Sequence, residues 1–362
     1  MESLVDLAVF AVIDNFSISD YSDIPKTLIY KSENIRKWFT EVSKNGALEN
    51  VPLEFRLPRI CLAAVSYDGW ALNHVPEEQK TDKLCLLAVN NDGHSLDFVP
   101  KKSKTYEMCL AAVSTNGHAL LCVPDDLKMD RRICLAAVSN DGRALKHVPH
   151  QLTMDKELCL AAVSTDGRAL QYVPDQFMNK EICLVGVSNH RFALLYVPYE
   201  LMDKEICLAA VSNDGRALQS VSDELKMDRE ICLAAVSNDG RALDYVPYSL
   251  KMDKEICLAA VSNAGFALFY VPDDLKIDKE ICLAAVSNHR FALLYVPYEL
   301  MDKEICLAAV SNNGLALPHV PYELMDKEIC LAAVSNNGLA LKHVPDDLKM
   351  DKEICLAAAS MA

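Results

Sequence analysis

The sequence lacks the features of a membrane protein and of a nucleic-acid-binding protein. Although 51% of its 362 residues are hydrophobic, no uninterrupted apolar run approaches the roughly 18 residues that cross a bilayer. The apolar start, MESLVDLAVFAVIDNF, has no basic residue before it, so we expect no secretory signal. Lysines and arginines number 36 against 51 aspartates and glutamates, for a formal net charge of −15, whereas a nucleic-acid partner requires a basic stripe. We therefore expect a cytoplasmic protein with no membrane and no nucleic-acid partner.

The sequence also lacks the short motifs of common catalytic and metal sites. It contains no G-x-S-x-G, no phosphate-binding loop, no H-E-x-x-H and no dinucleotide fingerprint. Its N-D-G corners lack the D-x-D-x-D-G ladder and distal glutamate of a calcium loop. The paired C-x-x-C of a zinc site never occurs. We predict that the chain is not an enzyme and that it binds neither a cofactor nor a metal.

What the sequence has is a repeat whose period is marked by cysteine. Of the 14 cysteines, all but Cys122 follow one another at spacings of 24 or 25 residues, at positions 61, 85, 109, 134, 159, 183, 207, 232, 257, 282, 306, 330 and 355. The one-residue difference falls in the connection before the cysteine, as between DDLKMD and YELMD, which is typical of a surface turn. A fixed period of this length indicates a repeat architecture. The 26-residue block from Ser188 recurs unchanged from Ser287, so we infer segmental duplication.

Each repeat predicts one long and one short helix. In MDKEICLAAVSNDG the aspartate is a good N-cap, and the glutamate lies in the first turn, where the helix dipole favours it. The glycine is expected to take the left-handed conformation that ends a helix, which makes the long helix about ten residues long. Six consecutive apolar residues, 133–138, indicate a helix covered on several faces. GRALKHVP, residues 142–149, stops at a proline and predicts a short second helix or a 3₁₀ turn.

These elements predict an all-α fold, an α-solenoid of 24–25-residue helix-turn-short-helix repeats that share one core. A leucine-rich-repeat solenoid is the alternative, but CLAAVSNDG supplies neither the alternating strand nor the asparagine ladder of that fold. We expect the cysteines to pack as small apolar residues, because a disulfide needs Cα atoms within about 7 Å and neighbouring helix axes lie about 8 to 10 Å apart. Unpaired thiols also indicate a reducing compartment.

Two positions vary among otherwise copied repeats, namely the residue after the glycine and the residue before Val-Pro. Many of them hold arginine or an aromatic residue, the types that are enriched in binding hot spots. We predict a partner-binding role for Trp70, Phe98, Arg143, Arg168, Tyr172, Tyr196, Arg216, Arg241, Tyr245, Tyr270 and Tyr295. The alternative is that these side chains cover the seams between short helices, with their polar tips in water. In two repeats Arg191 and Arg290 replace the glycine, so these corners are expected to close differently.

The repeat follows the pattern D-K-E-x-x-L-x-A-V-x-x-(D/N)-G-x-A-L-x-x-V-P-x-x-L. Over about residues 58–360 it resembles the helical repeat known as domain of unknown function 4116. The resemblance implies a helical array and no known activity. Because such repeats are found in giant viruses and in bacteria associated with amoebae, it also implies a protein that acts in the cytoplasm of a host cell.

The chain before residue 58 predicts two further segments. Residues 35–57 form a degenerate capping repeat, with Trp38 in the cysteine position and Gly46 in the glycine position. Residues 1–34 form either a plain helical cap or an F-box-like segment. Residues 58–362 then make up the tandem helical-repeat solenoid.

The F-box-like interpretation depends on one spacing. Ile13, Phe16, Asp20 and Ile24 resemble the residues with which an F-box binds the Skp1 protein of ubiquitin ligases. That resemblance implies a candidate Skp1-binding site at these four residues.

The sequence as a whole favours a non-enzymatic scaffold that binds a protein partner on one face of the solenoid. The alternative is an F-box-like substrate adaptor, which recruits a Skp1-type ligase subunit through the N-terminus and binds its substrate through the solenoid. The final KEICLAAASMA keeps Ile354, Cys355 and Leu356 on a long helix with no short helix after it. We therefore expect this end to fray or to pair with the same end of a second copy as a homodimer.

Overall fold

The computed structural model describes the backbone of residues 26–361 and the side chains of residues 33–361. The chain divides into two compact units, Met1–Met178 (unit 1) and Asn179–Ala362 (unit 2). All regular elements of the described residues are α-helices or 3₁₀ helices arranged in tandem repeats, which confirms the predicted all-α solenoid. Each repeat consists of a long α-helix, a 3₁₀ helix and a connecting turn, so it has one more element than the sequence predicted.

The long helices begin with a 20-residue helix and continue with helices of nine or ten residues. In unit 1 they are Lys26–Asn45, Pro58–Tyr67, Asp82–Asn91, Tyr106–Thr115, Arg131–Asn140 and Lys156–Thr165. In unit 2 they are Lys180–Asn189, Lys204–Asn213, Arg229–Asn238, Lys254–Asn263, Lys279–Asn288, Lys303–Asn312, Lys327–Asn336 and Lys352–Ser360.

A 3₁₀ helix follows each long helix except the last. In unit 1 these are Leu48–Asn50, Gly69–His74, Gly93–Phe98, Gly117–Cys122, Gly142–His147 and Gly167–Tyr172. In unit 2 they are Ala193–Tyr196, Gly215–Ser220, Gly240–Tyr245, Gly265–Tyr270, Ala292–Tyr295, Gly314–His319 and Gly338–His343.

The connecting turn after each Val-Pro or Val-Ser has two forms. In the shorter repeats it is a three-residue 3₁₀ turn, at Leu53–Phe55, Glu77–Gln79, Lys101–Ser103, Asp175–Phe177, Tyr199–Leu201, Tyr298–Leu300 and Tyr322–Leu324. In five of the six longer repeats it is one turn of α-helix, at Asp125–Lys128, His150–Thr153, Asp223–Lys226, Tyr248–Lys251 and Asp273–Lys276. In the sixth, residues 346–350, it is a turn in which the backbone N–H of Lys349 donates to the carbonyl of Pro345 at 3.0 Å. The extra residue therefore converts a 3₁₀ turn into an α-turn without lengthening the long helix.

The core lies between the long helices and the 3₁₀ helices. In Arg131–Asn140 the fully buried residues are Ile133, Cys134, Ala137 and Val138, whereas the two residues between these pairs are only half-buried. The prediction of a helix covered on several faces was therefore too broad, since one wide face is covered. The following 3₁₀ helix adds a buried Ala-Leu pair, and the valine of Val-Pro is also buried.

Where an aspartate precedes a long helix, it caps that helix as predicted. The Asp253 carboxylate accepts a hydrogen bond from the backbone N–H of Glu255 at 2.9 Å, and so satisfies one of the free donors at a helix N-terminus. In unit 1 threonine takes this place twice, and the Thr81 hydroxyl accepts from the backbone N–H of Leu84. The capping residue thus fixes the start of the helix in both units.

The glycine of the repeat has a different role from the predicted one. Among the described residues only Gly46, in the degenerate repeat, has a positive φ, of 70°. The other glycines begin the 3₁₀ helix instead. At Gly215 a Cβ atom would lie less than 3.0 Å from the backbone oxygen of Ala235 in the next long helix. The glycine is therefore needed for close approach of two backbones rather than for a left-handed turn.

The two corners with arginine in place of glycine do close differently, as expected. After Lys180–Asn189 the 3₁₀ helix starts only at Ala193 and has four residues instead of six. Its identical copy starts at Ala292 and is equally short. Because Arg191 and Arg290 carry a Cβ, the backbone at these corners cannot begin the 3₁₀ helix at the position where glycine begins it.

An asparagine ladder joins successive long helices, and it differs from the ladder of leucine-rich repeats, which the sequence was predicted to lack. The side chain of Asn263, near the end of its long helix, accepts a hydrogen bond from the backbone N–H of Gly240 at 2.8 Å. It also donates to the carbonyl of Ser237 at 2.9 Å, at the end of the preceding long helix. Asn238 and Asn288 repeat this arrangement in unit 2, and Asn140 does so in unit 1. The asparagine satisfies helix-end carbonyls that have no partner within the helix.

A charged ladder joins the starts of the long helices. Lys254, the first residue of its helix, lies 2.7 Å from the carboxylates of Asp278 and Glu280 at the start of the next helix. The hydrogen bond from Lys254 holds the pKa of Asp278 below its ordinary value, and the two carboxylates raise the pKa of Lys254. In unit 2 the bridging cations are Lys180, Lys204, Arg229, Lys254, Lys279, Lys303 and Lys327.

The hydrogen bond of the repeating cysteine thiol depends on the length of the repeat. In each of the six repeats with a 25-residue spacing, the thiol donates to a carbonyl of the preceding connecting turn at 3.0 to 3.2 Å. Cys232, for example, donates to Lys226, the residue that the shorter repeats lack. The prediction that these cysteines pack in the core is confirmed, since those at positions 61 to 330 in the series are buried.

The N-terminal helix bears on the predicted segment boundaries. Lys26–Asn45 is one continuous helix, so the boundary predicted between residues 34 and 35 falls inside it. The boundary predicted after residue 57 coincides with the start of Pro58–Tyr67. Trp38 is half-buried in the cysteine position. No helix within residues 26–361 combines the length and the apolarity needed to cross a bilayer.

Candidate interaction surface

The 3₁₀ helices carry the variable residues of the repeat. In Gly240–Tyr245, Ala242 and Leu243 are buried, whereas Arg241 and Asp244 are exposed and Tyr245 is half-buried. The second, fifth and sixth residues of the six-residue 3₁₀ helices, with the equivalent residues at the two arginine corners, thus form one surface in each unit, which we call the 3₁₀ face. All eleven residues predicted to bind a partner lie on it, in unit 1 Trp70, Phe98, Arg143, Arg168 and Tyr172, and in unit 2 Tyr196, Arg216, Arg241, Tyr245, Tyr270 and Tyr295.

The arginines of the 3₁₀ face are paired with aspartates of the chain itself. In unit 1, Nη2 of Arg168 lies 2.7 Å from the Asp166 carboxylate, which also accepts the backbone N–H of Arg168 at 2.9 Å. In unit 2, Nε of Arg216 lies 2.9 Å from the carboxylate of Asp239 in the next repeat. These aspartates start the 3₁₀ helices, so the arginines hold the corners together and much of their charge is compensated.

The aromatic residues of unit 1 are mixed with polar and titratable groups. Trp70 packs edge-on against Phe98 with 5.4 Å between ring centroids, and its indole N–H donates to the Asp92 carboxylate. Further along, the rings of His118 and His147 lie 5.7 Å apart. Burial lowers the pKa of both histidines, so they are neutral near pH 7. The 3₁₀ face of unit 1 therefore combines aromatic rings with carboxylates and imidazoles around these residues.

Unit 2 contains a cluster of four aromatic rings, Phe266, Phe269, Tyr270 and Tyr295. Tyr295 lies 5.5 Å from Phe266 and 5.3 Å from Phe269, centroid to centroid, both edge-on. Phe269 lies 5.0 Å from Tyr270. These are the distances of packed aromatic pairs, so the rings form a filled surface rather than a cage. The two tyrosines are among the residues predicted to bind a partner and the two phenylalanines are not, although GFALFY has three aromatics within five residues.

The aromatic cluster continues into a row of large apolar side chains, most of which are exposed. Phe269 is 51% exposed, Leu294 53% and Leu339 68%, and large apolar residues exposed along one face are a feature of binding surfaces. We call the row Phe266, Phe269, Phe291, Leu294, Leu315 and Leu339 the apolar stripe. Phe266 and Phe269 are the second and fifth residues of Gly265–Tyr270, and Phe291 and Leu294 are the equivalent residues at the Ala292–Tyr295 corner. Leu315 and Leu339 are the second residues of the next two 3₁₀ helices, whose fifth residues are Pro318 and Lys342.

A small cavity in unit 2 also borders the 3₁₀ face. It has a volume of about 170 Å³ and is lined by Arg191, Phe192, Arg216, Ala217, Gln219, Ser220 and Tyr245. Pockets for small organic ligands are typically about 300 to 1,000 Å³. This cavity is therefore too small to suggest a substrate or cofactor site.

The buried thiols have the environment of structural cysteines. Burial raises the pKa of Cys61 to about 12 and that of Cys232 to about 11, so both are protonated and poor nucleophiles near neutral pH. Among residues 33–361, no group of three His, Cys, Asp or Glu side chains is placed to hold a metal ion.

Two predictions concern the ends of the chain. The candidate Skp1-binding residues Ile13, Phe16, Asp20 and Ile24 lie outside the described residues. In Lys352–Ser360, Ile354 is buried, Cys355 is half-buried and Leu356 is exposed. Fraying and homodimer formation at this helix both remain predictions.

Comparison with known proteins identifies the repeat. A family model described as a domain of unknown function (DUF4116) matches residues 59–104, 105–153, 155–202, 203–251, 253–301, 278–325 and 326–361. The chain belongs to the DUF4116 family. Most DUF4116 matches cover about two of the repeats described above, and the overlap of 253–301 with 278–325 shows that either of two neighbouring repeats can begin a pair. No curated protein and no solved structure matches the chain.

Proposed function

We propose that this DUF4116 protein is a non-enzymatic scaffold and that its 3₁₀ face binds a protein partner. The observation that carries the proposal is the apolar stripe of unit 2. In this stripe Phe269, Leu294 and Leu339 are exposed, whereas the core residues of each repeat are the same few apolar types and are buried. Exposed apolar area of this kind is typical of protein-binding surfaces, and solenoids commonly bind along one extended face.

The scaffold proposal also agrees with the chemistry of the variable positions. Arginines outside the stripe are paired with aspartates, as Arg168 is with Asp166, and the buried cysteines have raised pKa values. These arginines and cysteines stabilise the repeat itself. The exposed apolar side chains are therefore the groups of this surface that we propose contact a partner.

Site-specific photo-crosslinking tests the proposal on the full chain. A benzoylphenylalanine is introduced at Leu294, in the stripe, or at Tyr248, an exposed aromatic residue of a connecting turn in the same unit. We expect a discrete crosslinked protein from the Leu294 position and little or none from Tyr248. Equal crosslinking at both positions, or none at Leu294, would contradict the proposed surface.

We further propose a reducing, cytoplasmic location, which becomes the cytoplasm of a host cell if the protein is delivered there. All cysteines from 61 to 355 are free. Because disulfides form in oxidising compartments such as the extracellular space, free cysteines in a cysteine-rich chain favour a reducing location. Fractionation with an antibody against the chain tests this, and recovery in a secreted fraction would refute it.

A further inference from the structure

The apolar stripe of unit 2 coincides with a change of charge at the corners. Elsewhere the residue that begins a corner is often aspartate, as at Asp214 and Asp239, and it caps the 3₁₀ helix. From residue 264 onward the same position holds Ala264, His289, Asn313 and Asn337. In a chain with a net charge of −15, the corners beside the stripe have thus lost their carboxylates.

Arg290 lies at one of these corners, and comparison with its copy Arg191 shows how the missing carboxylate changes the surroundings of the arginine. The two arginines belong to identical 26-residue blocks, and each guanidinium lies over the next phenylalanine, at 4.4 Å for Arg191 and 4.5 Å for Arg290. Arg191 also lies 3.9 Å from the carboxylate of Asp214. The corresponding residue for Arg290 is Asn313, and no carboxylate of the described residues forms an ion pair with Arg290. One arginine of the pair thus lies within ion-pair distance of a carboxylate of the chain, and the other does not.

The stacked position prepares Arg290 to bind a carboxylate. A guanidinium held over an aromatic ring has already lost much of its rotational freedom, so less entropy is lost when it pairs with an anion. Arg290 is half-buried beside Phe291, and a charge-assisted hydrogen bond is stronger where water is partly excluded.

We propose, building on the interaction surface described above, that the apolar stripe and Arg290 together bind a peptide segment of a partner protein. Its apolar side chains cover the stripe and one aspartate or glutamate pairs with Arg290. A membrane surface fits less well, because anionic lipids attract clusters of several basic residues, whereas this surface has Arg290 and Lys342 within a strongly acidic chain.

A phage library of random 12-residue peptides, selected on the full-length protein, tests the inference. We expect the enriched peptides to combine at least two large apolar residues with one acidic residue. Binding of the synthesised peptides, measured by fluorescence polarisation, should weaken about tenfold with Arg290→Gln, which corresponds to about 1.4 kcal/mol. Arg191→Gln is the matched control and should have no effect.

A double-mutant cycle isolates the ion pair. Changing the acidic residue of the peptide to its amide should weaken binding to the parent protein about tenfold and have little further effect on the Arg290→Gln variant. Phe269→Ser and Leu294→Ser, at exposed positions where folding is checked by circular dichroism, should each weaken all selected peptides.

The outcomes separate the two proposals. Peptides that need Phe269 and Leu294 but bind equally well to the Arg290→Gln variant would overturn the carboxylate inference and leave the apolar surface standing. Failure to enrich any peptide, or binding that is insensitive to the stripe variants, would overturn both. Binding of phosphatidylserine vesicles that Phe269→Ser abolishes, without peptide binding, would replace the peptide by a membrane.

Discussion

The two units are built from one repeat but fasten their copies in different ways. In unit 2 the long helices from Lys180–Asn189 to Lys327–Asn336 each begin with a lysine or arginine that bridges to two carboxylates of the next repeat. In unit 1 the first helical positions include Pro58, Asp82 and Tyr106, which cannot form this bridge. The next helix of unit 1, Arg131–Asn140, does have the bridge, which Arg131 forms with Asp155 and Glu157.

The difference shows which contacts the fold requires. The buried Ile-Cys and Ala-Val pairs occur in both units, and so do the close approach at glycine and the asparagine ladder. The charged ladder is present mainly where the repeats are most alike. We infer that core packing is sufficient to form the stack and that the ladder adds to it, because exposed ion pairs typically contribute at most about 1 kcal/mol each.

The largest expected effect concerns the glycine contact, which both units share. Gly215→Ala places a Cβ against the backbone oxygen of Ala235, and a helix backbone cannot move aside as a flexible side chain can. We expect a loss of about 3 kcal/mol in local stability, measured by native-state hydrogen exchange in Lys204–Asn213 and Arg229–Asn238. Arg191→Ala, at the neighbouring corner that has no glycine, should cost little. Comparable losses for both variants would show that the glycine contact is not the cause.

A second test concerns a defect that is found in unit 1. Ser95 occupies the place of the buried alanine in the 3₁₀ helix, and its hydroxyl is fully buried with no hydrogen-bond partner among the described residues. Since an unpaired buried hydroxyl costs about 1 to 3 kcal/mol, Ser95→Ala should stabilise Asp82–Asn91 and Tyr106–Thr115 by about 1 to 2 kcal/mol in hydrogen exchange. The reciprocal Ala242→Ser should destabilise unit 2 by a similar amount. A destabilising Ser95→Ala would indicate that a bound water satisfies this hydroxyl.

The cysteine series predicts a smaller effect that depends on repeat length. At Cys232 a serine hydroxyl can replace the thiol as donor to the carbonyl of Lys226. Cys207 is also buried, but in its shorter repeat no hydrogen bond of this kind is found among the described residues. We expect Cys207→Ser to cost about 1 kcal/mol more than Cys232→Ser, with the two alanine variants as controls. Equal costs in thermal melts would show that the connecting turn does not distinguish the two sites.

The smallest expected effect comes from building one rung of the charged ladder in unit 1. Asp82→Lys supplies the missing cation, Thr105→Asp replaces the threonine cap with a carboxylate, and Glu107 is already in place. We expect a gain of about 0.5 kcal/mol or less in the local stability of Tyr106–Thr115. The gain should shrink at high salt, and a gain that is unchanged in 1 M salt would have to come from the new cap instead.

The ladder also predicts how unit 2 responds to acid. Hydrogen bonds from the bridging cations lower the pKa of Asp228, Asp253 and Asp278 from the ordinary 3.8. A carboxylate with a depressed folded-state pKa stabilises the fold above its unfolded-state value and loses that contribution as the pH falls through the folded-state value. Below about pH 4, hydrogen-exchange protection should therefore fall more steeply at the helix starts of unit 2 than at Asp82–Asn91 and Tyr106–Thr115.

The sequence predicted the features that depend on residues of a single repeat. The cysteine spacing gave the period, the aspartate gave the helix start, and the proline gave the end of the short helix. The features that it missed are contacts between repeats. The role of Gly215 depends on the backbone of Ala235, and the role of Asn263 depends on Gly240 and Ser237, so neither can be read from one copy.

The candidate site was predicted in part for a related reason. Position within the repeat placed all eleven residues on the 3₁₀ helices. It could not show that Arg168 and Arg216 are paired with aspartates, or that Phe266 and Phe269 stack with ring centroids 6.0 Å apart. Residue type alone favoured the arginines, whereas the structure favours the phenylalanines that lie beside tyrosines.

The asparagine and charged ladders place no limit on the number of repeats. Each of their contacts joins a cation or a backbone N–H of one repeat to an acceptor of the adjacent repeat, so it does not depend on how many repeats lie on either side. The identical blocks from Ser188 and Ser287 are 99 residues apart. Recombination between their coding segments would remove four repeats and keep the reading frame, with Lys303 following Asp203 where Lys204 follows it now. The length of such an array can therefore change in one genetic step without any new contact having to evolve.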